Sequence, residues 1–233
     1  MTYRIHKVQW ARTINRFVQG SGLFFTSNRS TSSRHIRKKS LCSLLLLLFF
    51  GSASFFVPTS AGGAILDFSG LGPNGAAIPQ DYGDIPNLDV SYRELLDFGD
   101  ADEAPGGNVA YWDTGYNGLV GVAYGTDRSP SSTAEITFSP SPGYAVSLDN
   151  FDLGFWLDRI YTSQVKVYNE DYTQLLFESD VLTGGFGSIN INLDIFLDED
   201  LHLQWKNSLF ASVDNVAYRA AVVPIPGSLW VLL

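Results

Sequence analysis

The densest run of residues able to do chemistry is Tyr111-Trp112-Asp113-Thr114-Gly115-Tyr116. Aromatic faces stack on the apolar faces of pyranose rings, and a nearby carboxylate accepts hydrogen bonds from sugar hydroxyls. Tyr111, Trp112, Asp113 and Tyr116 are therefore candidate carbohydrate contacts, with Trp156, Tyr161 and Trp205 as further rings. Core packing competes with this reading, because sandwiches bury Trp and Tyr routinely. Residues for catalysis are sparser. Glycoside hydrolysis needs two carboxylates facing across a cleft. Glu94, Glu135, Glu170 and Glu178 are available, but none lies in a recognisable motif. Glu135 and Glu178 are expected as solvated charge at strand edges. Serine catalysis would need His202 as base, and no Gly-x-Ser-x-Gly elbow is present. His202 alternates with Leu201 and Leu203, which predicts the polar face of a strand. The expectation is a protein that is not an enzyme.

Charge is distributed unevenly. The 233 residues hold 15 Lys+Arg and 24 Asp+Glu, a net of −9. Nine of the basic residues (Arg4, Lys7, Arg12, Arg16, Arg29, Arg34, Arg37, Lys38 and Lys39) lie in the first 39 positions, and no acid precedes Asp67. From Gly62 onward the remaining 6 basic residues face all 24 acids, a net of −18. Such a domain disfavours nucleic acid, because phosphate binding needs clustered Lys and Arg. Past position 61 there is one His and no Cys, so most metal and thiol constellations are excluded.

The basic segment reads as an address. Arg34–Lys39 precedes LLLLLFF, then small residues and Pro58-Thr59-Ser60-Ala61. A positive region, a short apolar run and a small-x-small exit describe a secretory signal peptide. The run falls short of the roughly 20 residues a spanning helix needs. Cleavage is expected after Ala61, so 1–61 is leader with an over-long N-terminal extension, whose true start is expected downstream of Met1, and membrane contact is transient.

Beyond Gly62 the pattern is strand, turn, strand. Runs at 64–68, 88–92, 119–124, 133–139, 144–148, 152–157, 164–168, 188–195, 201–206 and 212–219 are predicted strands. Alternation is clearest in Glu135-Ile136-Thr137-Phe138 and Val165-Lys166-Val167-Tyr168. Residues 149–152 (Asp-Asn-Phe-Asp) suit a turn, and 92–98 supports one short helical turn. The Gly/Pro-rich stretch 71–87 is expected as a surface connection. The fold class is all-β: one antiparallel β-sandwich or jelly-roll domain spanning 62–221.

The end of the chain, Val223-Pro224-Ile225-Pro226-Gly227-Ser228-Leu229-Trp230, resembles the start of a PEP-CTERM sorting signal. In that family a Val-Pro-x-Pro motif precedes a transmembrane helix and an Arg-rich end, and exosortase cleaves there. Ile225 stands where the name-giving Glu would be, and the sequence given stops at Leu233, before the helix and the Arg cluster. The resemblance implies a sorting motif at Val223, Pro224, Ile225 and Pro226 within a tail at 222–233. It also implies an exosortase-type partner and export to the periplasm, surface or matrix of a Gram-negative bacterium that makes exopolysaccharide. Val213-Asp214-Asn215-Val216 is similar to the closing strand of such exported proteins.

Asp67, Asp214 and Asn215 resemble a calcium site of carbohydrate-binding jelly rolls, where an acid near the first strand and an Asp in the last share one ion. Calcium takes six to eight oxygens, which carboxylates and carbonyls supply. The alternative is that Asp214 and Asn215 serve a bulge in the terminal strand. Four acids within 97–103 and the run Asp198-Glu199-Asp200 read as solvated turns, since the spacing lacks the EF-hand pattern. Three functions follow: a non-catalytic surface or matrix protein associated with exopolysaccharide, a calcium-dependent carbohydrate-binding module, or a secreted glycan hydrolase.

Overall fold

A computed structural model describes residues 63–223 except 100, 101, 106, 130, 158 and 186. The leader 1–61 and the motif residues Pro224, Ile225 and Pro226 lie outside the described residues. Thirteen strands and no helix are present among the described residues: β1 (Ala64–Leu66), β2 (Leu88–Leu95), β3 (Val109–Trp112), β4 (Val122–Gly125), β5 (Thr133–Pro140), β6 (Tyr144–Phe155), β7 (Thr162–Ser163), β8 (Val165–Asn169), β9 (Leu175–Glu178), β10 (Leu182–Thr183), β11 (Ile189–Leu197), β12 (Leu201–Lys206) and β13 (Ala211–Val222). All pairings are antiparallel.

Two sheets form an antiparallel β-sandwich. The larger runs β11-β6-β13-β4-β3 with β1 also on β13; the smaller runs β2-β5-β12-β8-β9; β10 and β7 make a separate pair. The alternation read in the sequence is what seals them. Ala134, Ile136 and Phe138 of β5 and Leu201, Leu203 and Trp205 of β12 face Leu148, Phe151 and Leu153 of β6 and Val213, Val216 and Tyr218 of β13 in one core. Phe138 and Tyr218 meet across the layers at 5.1 Å between ring centroids. Trp205 is fully buried, and its indole N–H donates to Ala211 O at 3.1 Å. It is therefore core, and its ring offers no face to a ligand.

Residues 149–152 are not a turn. They run through the middle of the twelve-residue strand β6. The register slips here on three neighbouring strands at one level, between Asn192 and Ile195 on β11 and between Asp214 and Tyr218 against β6. A bulge shifts the pleat by one residue, so Leu148 and Phe151, three apart, both point inward. Asp194 (φ 56°) and Asn215 (φ 52°) take the left-handed conformation that Asp and Asn tolerate best.

Nor does 92–98 start a helix: β2 continues to Leu95. Ladder bonds to β5 and two side-chain tethers override the local spacing. Arg93 is held by Glu135 of β5. Glu94 is buried and accepts from Thr126 N (2.9 Å), Asp127 N (3.0 Å) and Ser208 Oγ (2.9 Å), tying the loop after β4 and the β12–β13 loop to β2. Burial raises its pKa. A β-carbon on Gly125 would collide with Glu94 Oε1 and Ser208 Oγ, so this position has to be glycine.

The 71–87 connection covers an edge instead of wandering over the surface. Gln80 bonds both Tyr92 O (2.8 Å) and Tyr92 N (3.0 Å) with its carboxamide, and Asp84 Oδ1 accepts from Val90 N at 2.6 Å. Side chains thus occupy the free ladder groups of the outer strand β2, which would otherwise invite another chain.

Candidate functional site

The pleat places one row of polar side chains across the outer face of the smaller sheet. In register, Arg93 (β2) lies beside Glu135 (β5), Glu135 beside Gln204 (β12), Gln204 beside Lys166 (β8), and Lys166 beside Glu178 (β9). The next row holds Thr137, His202 and Tyr168. Glu135 and His202 were both expected in solvent, and both are buried, at 0 % and 5 % exposure. Loops that arrive from elsewhere in the chain cover them. Gly99 N donates to Gln204 Oε1 at 2.9 Å, and Tyr172, in the turn after β8, lies on His202.

Glu135 is the hub. It accepts from Arg93 Nε (2.6 Å), Gln204 Nε2 (2.6 Å), Thr137 Oγ1 (3.0 Å) and Tyr172 OH (3.0 Å), and His202 Nδ1 stands 3.3 Å away. Burial alone would raise its pKa; the hydrogen bonds and charges of His202, Gln204 and Arg93 outweigh burial and bring it down to about 2. His202 Nε2 is 3.2 Å from Glu170 O, which only accepts, so Nε2 carries a proton. Nδ1 meets Thr137 Oγ1 at 3.0 Å and Tyr172 OH at 3.2 Å. A carboxylate so firmly ionised is a weak base and no acid at neutral pH.

Three rings stand over this floor, all half-buried: Phe98, Tyr168 and Tyr172. Tyr172 stacks on His202 at 4.3 Å and 22°, and the Arg93 guanidinium lies over its ring at 5.8 Å from the centroid. Its hydroxyl is fixed by Arg93 Nη2 and Glu135. Tyr168 lies 6.0 Å from it. Lys166 and Lys206 approach the ring of Phe98 at 5.0 and 5.4 Å. Sequence reasoning missed Tyr172. Its one signal was an aromatic residue inside an otherwise polar turn, and its left-handed backbone (φ 58°) was not visible there.

The structure does not bring the four predicted carbohydrate contacts onto one surface. Tyr111 is buried in the inter-sheet core and donates to Asp113 Oδ1 at 3.2 Å. Tyr116 is buried in a second cluster, its hydroxyl on Leu209 O at 3.0 Å. Trp112 is half-buried, edge-on to Tyr124 (5.7 Å) and Trp156 (5.1 Å). Asp113 is exposed, with its N–H on Asn74 Oδ1 at 2.7 Å. Tyr161 stacks on Phe210 at 4.4 Å and 6°. Glu178, exposed and paired with Lys166 at 3.2 Å, is the solvated charge it was expected to be.

The predicted acidic residues gather around the bulge of β13. Asp214 is buried, opposite Asp152 in register; its Oδ1 accepts from Asn215 N at 2.7 Å, and Asn215 Nδ2 donates to Asp152 Oδ2 at 2.9 Å. Burial first, then the charges of Asp152 and Asp67, push Asp214 up to about 7. Asp67 is exposed and accepts from Tyr82 OH at 3.1 Å. The bulge role foreseen for Asp214 and Asn215 is present. Among the described residues no group of three or more His, Cys, Asp or Glu side chains is placed to hold a metal ion. Of the sorting motif, only Val223 is described; its N–H donates to Gly143 O at 3.0 Å.

No family model matches the chain, and no curated protein matches it. Among solved structures it is similar to a mutant family 29 carbohydrate-binding module used to probe ligand recognition, at 10 % identity and a TM-score of 0.35, covering 69 % of this chain and 92 % of that one. It is also similar to a family 4 carbohydrate-binding module, at 11 % identity and a TM-score of 0.34, covering 61 % of this chain and 93 % of that one. A third is a family 29 module from Piromyces equi, at 11 % identity and a TM-score of 0.28, covering 57 % and 91 %. No TM-score among them exceeds 0.35, and these likenesses carry no argument about what this chain does.

Proposed function

We propose that this chain is an exported, non-catalytic surface or matrix protein that binds polysaccharide on the outer face of its five-stranded sheet. The observation that carries this reading is the posture of Tyr172. The half-buried ring stacks on His202 with the Arg93 guanidinium over it, and its hydroxyl is pinned by Arg93 and Glu135. A ring held this way loses no rotamer freedom on stacking against a sugar, and its surroundings supply donors and acceptors for hydroxyls. Three of the six basic residues beyond Gly62 flank it, each beside an acid: Arg93 with Glu135, Lys166 with Glu178 and Lys206 with Asp97. The face therefore offers charged hydrogen-bonding groups without an excess of either sign.

Export is proposed on the basic, then apolar, then small-residue order of the first 61 positions. A hydrolase is disfavoured, because Glu135 is ionised, enclosed and already saturated with donors. The reading needs no metal ion. A glycan array on the full-length chain tests it, with Tyr172→Ala and Tyr172→Phe alongside. Binding should fall at least tenfold in the alanine variant and survive in the phenylalanine variant. A wild-type chain that retains no glycan, or an alanine variant that binds as well as wild type, overturns the proposal.

A further inference from the structure

The two sheet paths end in β2, β9, β3 and β11. Three of these outer strands are closed or short. Gln80 and Asp84 fill ladder groups of β2. Residues 75–78 cover β3: Gly75 N donates to Tyr111 O at 2.8 Å, Tyr111 N to Ala76 O at 2.8 Å, and Ile78 N to Val109 O at 3.1 Å. β9 has only four residues. β11 has nine, pairs with β6 on one side, and meets no hydrogen-bonding partner on the other among the described residues. Neither proline nor lysine, the usual residues that blunt an edge, occurs in 188–200. The bulge at 192–195 disrupts the second half of β11. Residues 189–192 remain a regular strand with a free row of N–H and C=O groups.

Donors and acceptors alternating at strand spacing are matched by another extended backbone. Ile189, Leu193, Ile195 and Leu197 are half-buried and pack on the core. An added strand with apolar residues at alternate positions covers what remains of that row. The outward side chains Asn190, Asn192 and Phe196 are exposed, and the Phe196 ring suits the aliphatic stems of long cationic side chains. Charge selects the sign of the partner. Between Lys166 and Lys206 the chain carries eight acids and no Lys or Arg, and this stretch supplies β9, β10 and β11. Asp194 stands exposed on β11 itself, and Asp198, Glu199 and Asp200 follow directly. Arg219, in register with Phe196 through Ser147, is held by Asp149 at 2.6 Å. A second copy of this chain would bring the same acids to the edge, and like charges oppose that pairing. We propose that the free edge of β11 takes up a cationic, extended polypeptide segment as an added strand, its apolar residues alternating with Lys or Arg. This site is independent of the Tyr172 platform.

The test mixes the full-length chain with a fluorescent peptide alternating valine and lysine over about eight residues, an ordinary strand length. A peptide with glutamate in place of lysine and a copy N-methylated at every amide are the controls. Anisotropy should show saturable binding of the lysine peptide, weaker as salt rises, and none of either control. Amide hydrogen exchange should slow within 189–193 and stay unchanged in β9. Asn192→Lys, at an exposed position, should weaken binding roughly tenfold at an unchanged melting temperature. Asp194→Asn keeps a residue that tolerates the left-handed backbone and should weaken binding about threefold. Tyr172→Ala should bind the peptide like wild type, which separates failure at this edge from failure at the platform. The inference is overturned if the lysine peptide does not bind, if either control binds as well, or if protection appears away from β11. It is also overturned if sedimentation shows the free chain dimerised through an edge that Asn192→Lys opens.

Discussion

Tyr172 and His202 lie face to face, ring centroids 4.3 Å apart and planes 22° apart, although 30 residues separate them in the chain. The stack closes the polar row of the smaller sheet, because the same tyrosine hydroxyl reaches Glu135 at 3.0 Å. Removing only that hydroxyl isolates its contribution. Tyr172→Phe should lower stability by about 1–2 kcal/mol, the usual cost of leaving a buried charged acceptor one donor short, and should raise the Glu135 pKa. Chemical denaturation of the two proteins at neutral pH gives the first number, and an unchanged midpoint would show that the hydroxyl is idle.

Glu135 should dominate the acid limb of the stability profile. Its folded pKa of about 2 lies below the ordinary 4.5, so the unfolded state binds the proton more readily. The stabilisation is complete above pH 4.5 and is lost as pH falls from there towards 2. Over that window it amounts to roughly 3 kcal/mol. Melting temperature against pH for wild type and Glu135→Gln should show a constant gap above pH 4.5, with the variant less stable, and the gap should close as pH falls to about 2. Parallel curves would contradict the hub role.

Asp214 works in the opposite direction. Its folded pKa, raised from 3.8 to about 7, means the folded state holds the proton more tightly. Ionisation therefore destabilises the fold progressively from pH 4 to pH 7, and the full penalty applies above that. Asp214→Asn should be more stable than wild type at pH 8, by roughly 2 kcal/mol after allowing for solvent around Asp152 and Asp67. The gap should close by pH 4. A variant less stable at pH 8 would mean that the carboxylate is compensated by something bound there.

Trp112 separates packing from recognition. Wedged edge-on between Tyr124 and Trp156, it should cost about 2–3 kcal/mol when cut to alanine, less than a fully buried ring. Glycan retention by the folded variant should stay within about twofold of wild type. A tenfold loss of binding at unchanged stability would return the sugar contact to the aromatic run of the sequence.

The layers of this fold were legible because the longer core strands carry their own alternation; Ile136 and Phe138, or Leu201 and Leu203, declare the inward face without help from elsewhere. What alternation cannot report is whether the other face stays open. Glu135 and His202 alternate like solvated residues, yet Tyr172 from the turn after β8 bonds the one and stacks on the other. The same limit applies to the acidic stretch at 149–152, where the residues that favour turns also favour a bulge, and only pairing with β11 and β13 decides between them. The short strands β7, β9 and β10 had no pattern to read, being two to four residues long. The platform was invisible for a related reason: the order that matters at Tyr172 is spatial, set by Arg93, Glu135 and His202 from three different strands.

Both sheets take their middle strand from the end of the described chain. β12 stands between β5 and β8, and β13 between β6 on one side and β4 and β1 on the other. Ala64 pairs with Tyr218, 154 positions later. A chain appearing in N-to-C order can therefore make hairpins early but cannot join either sheet until residues 201–222 arrive. Closure then depends on contacts of long sequence separation, which places this domain among slow folders. Until that last segment docks, no ladder joins the β2–β5 pair to β8–β9, or the β6–β11 pair to β3–β4. The domain commits to its shape in one late step.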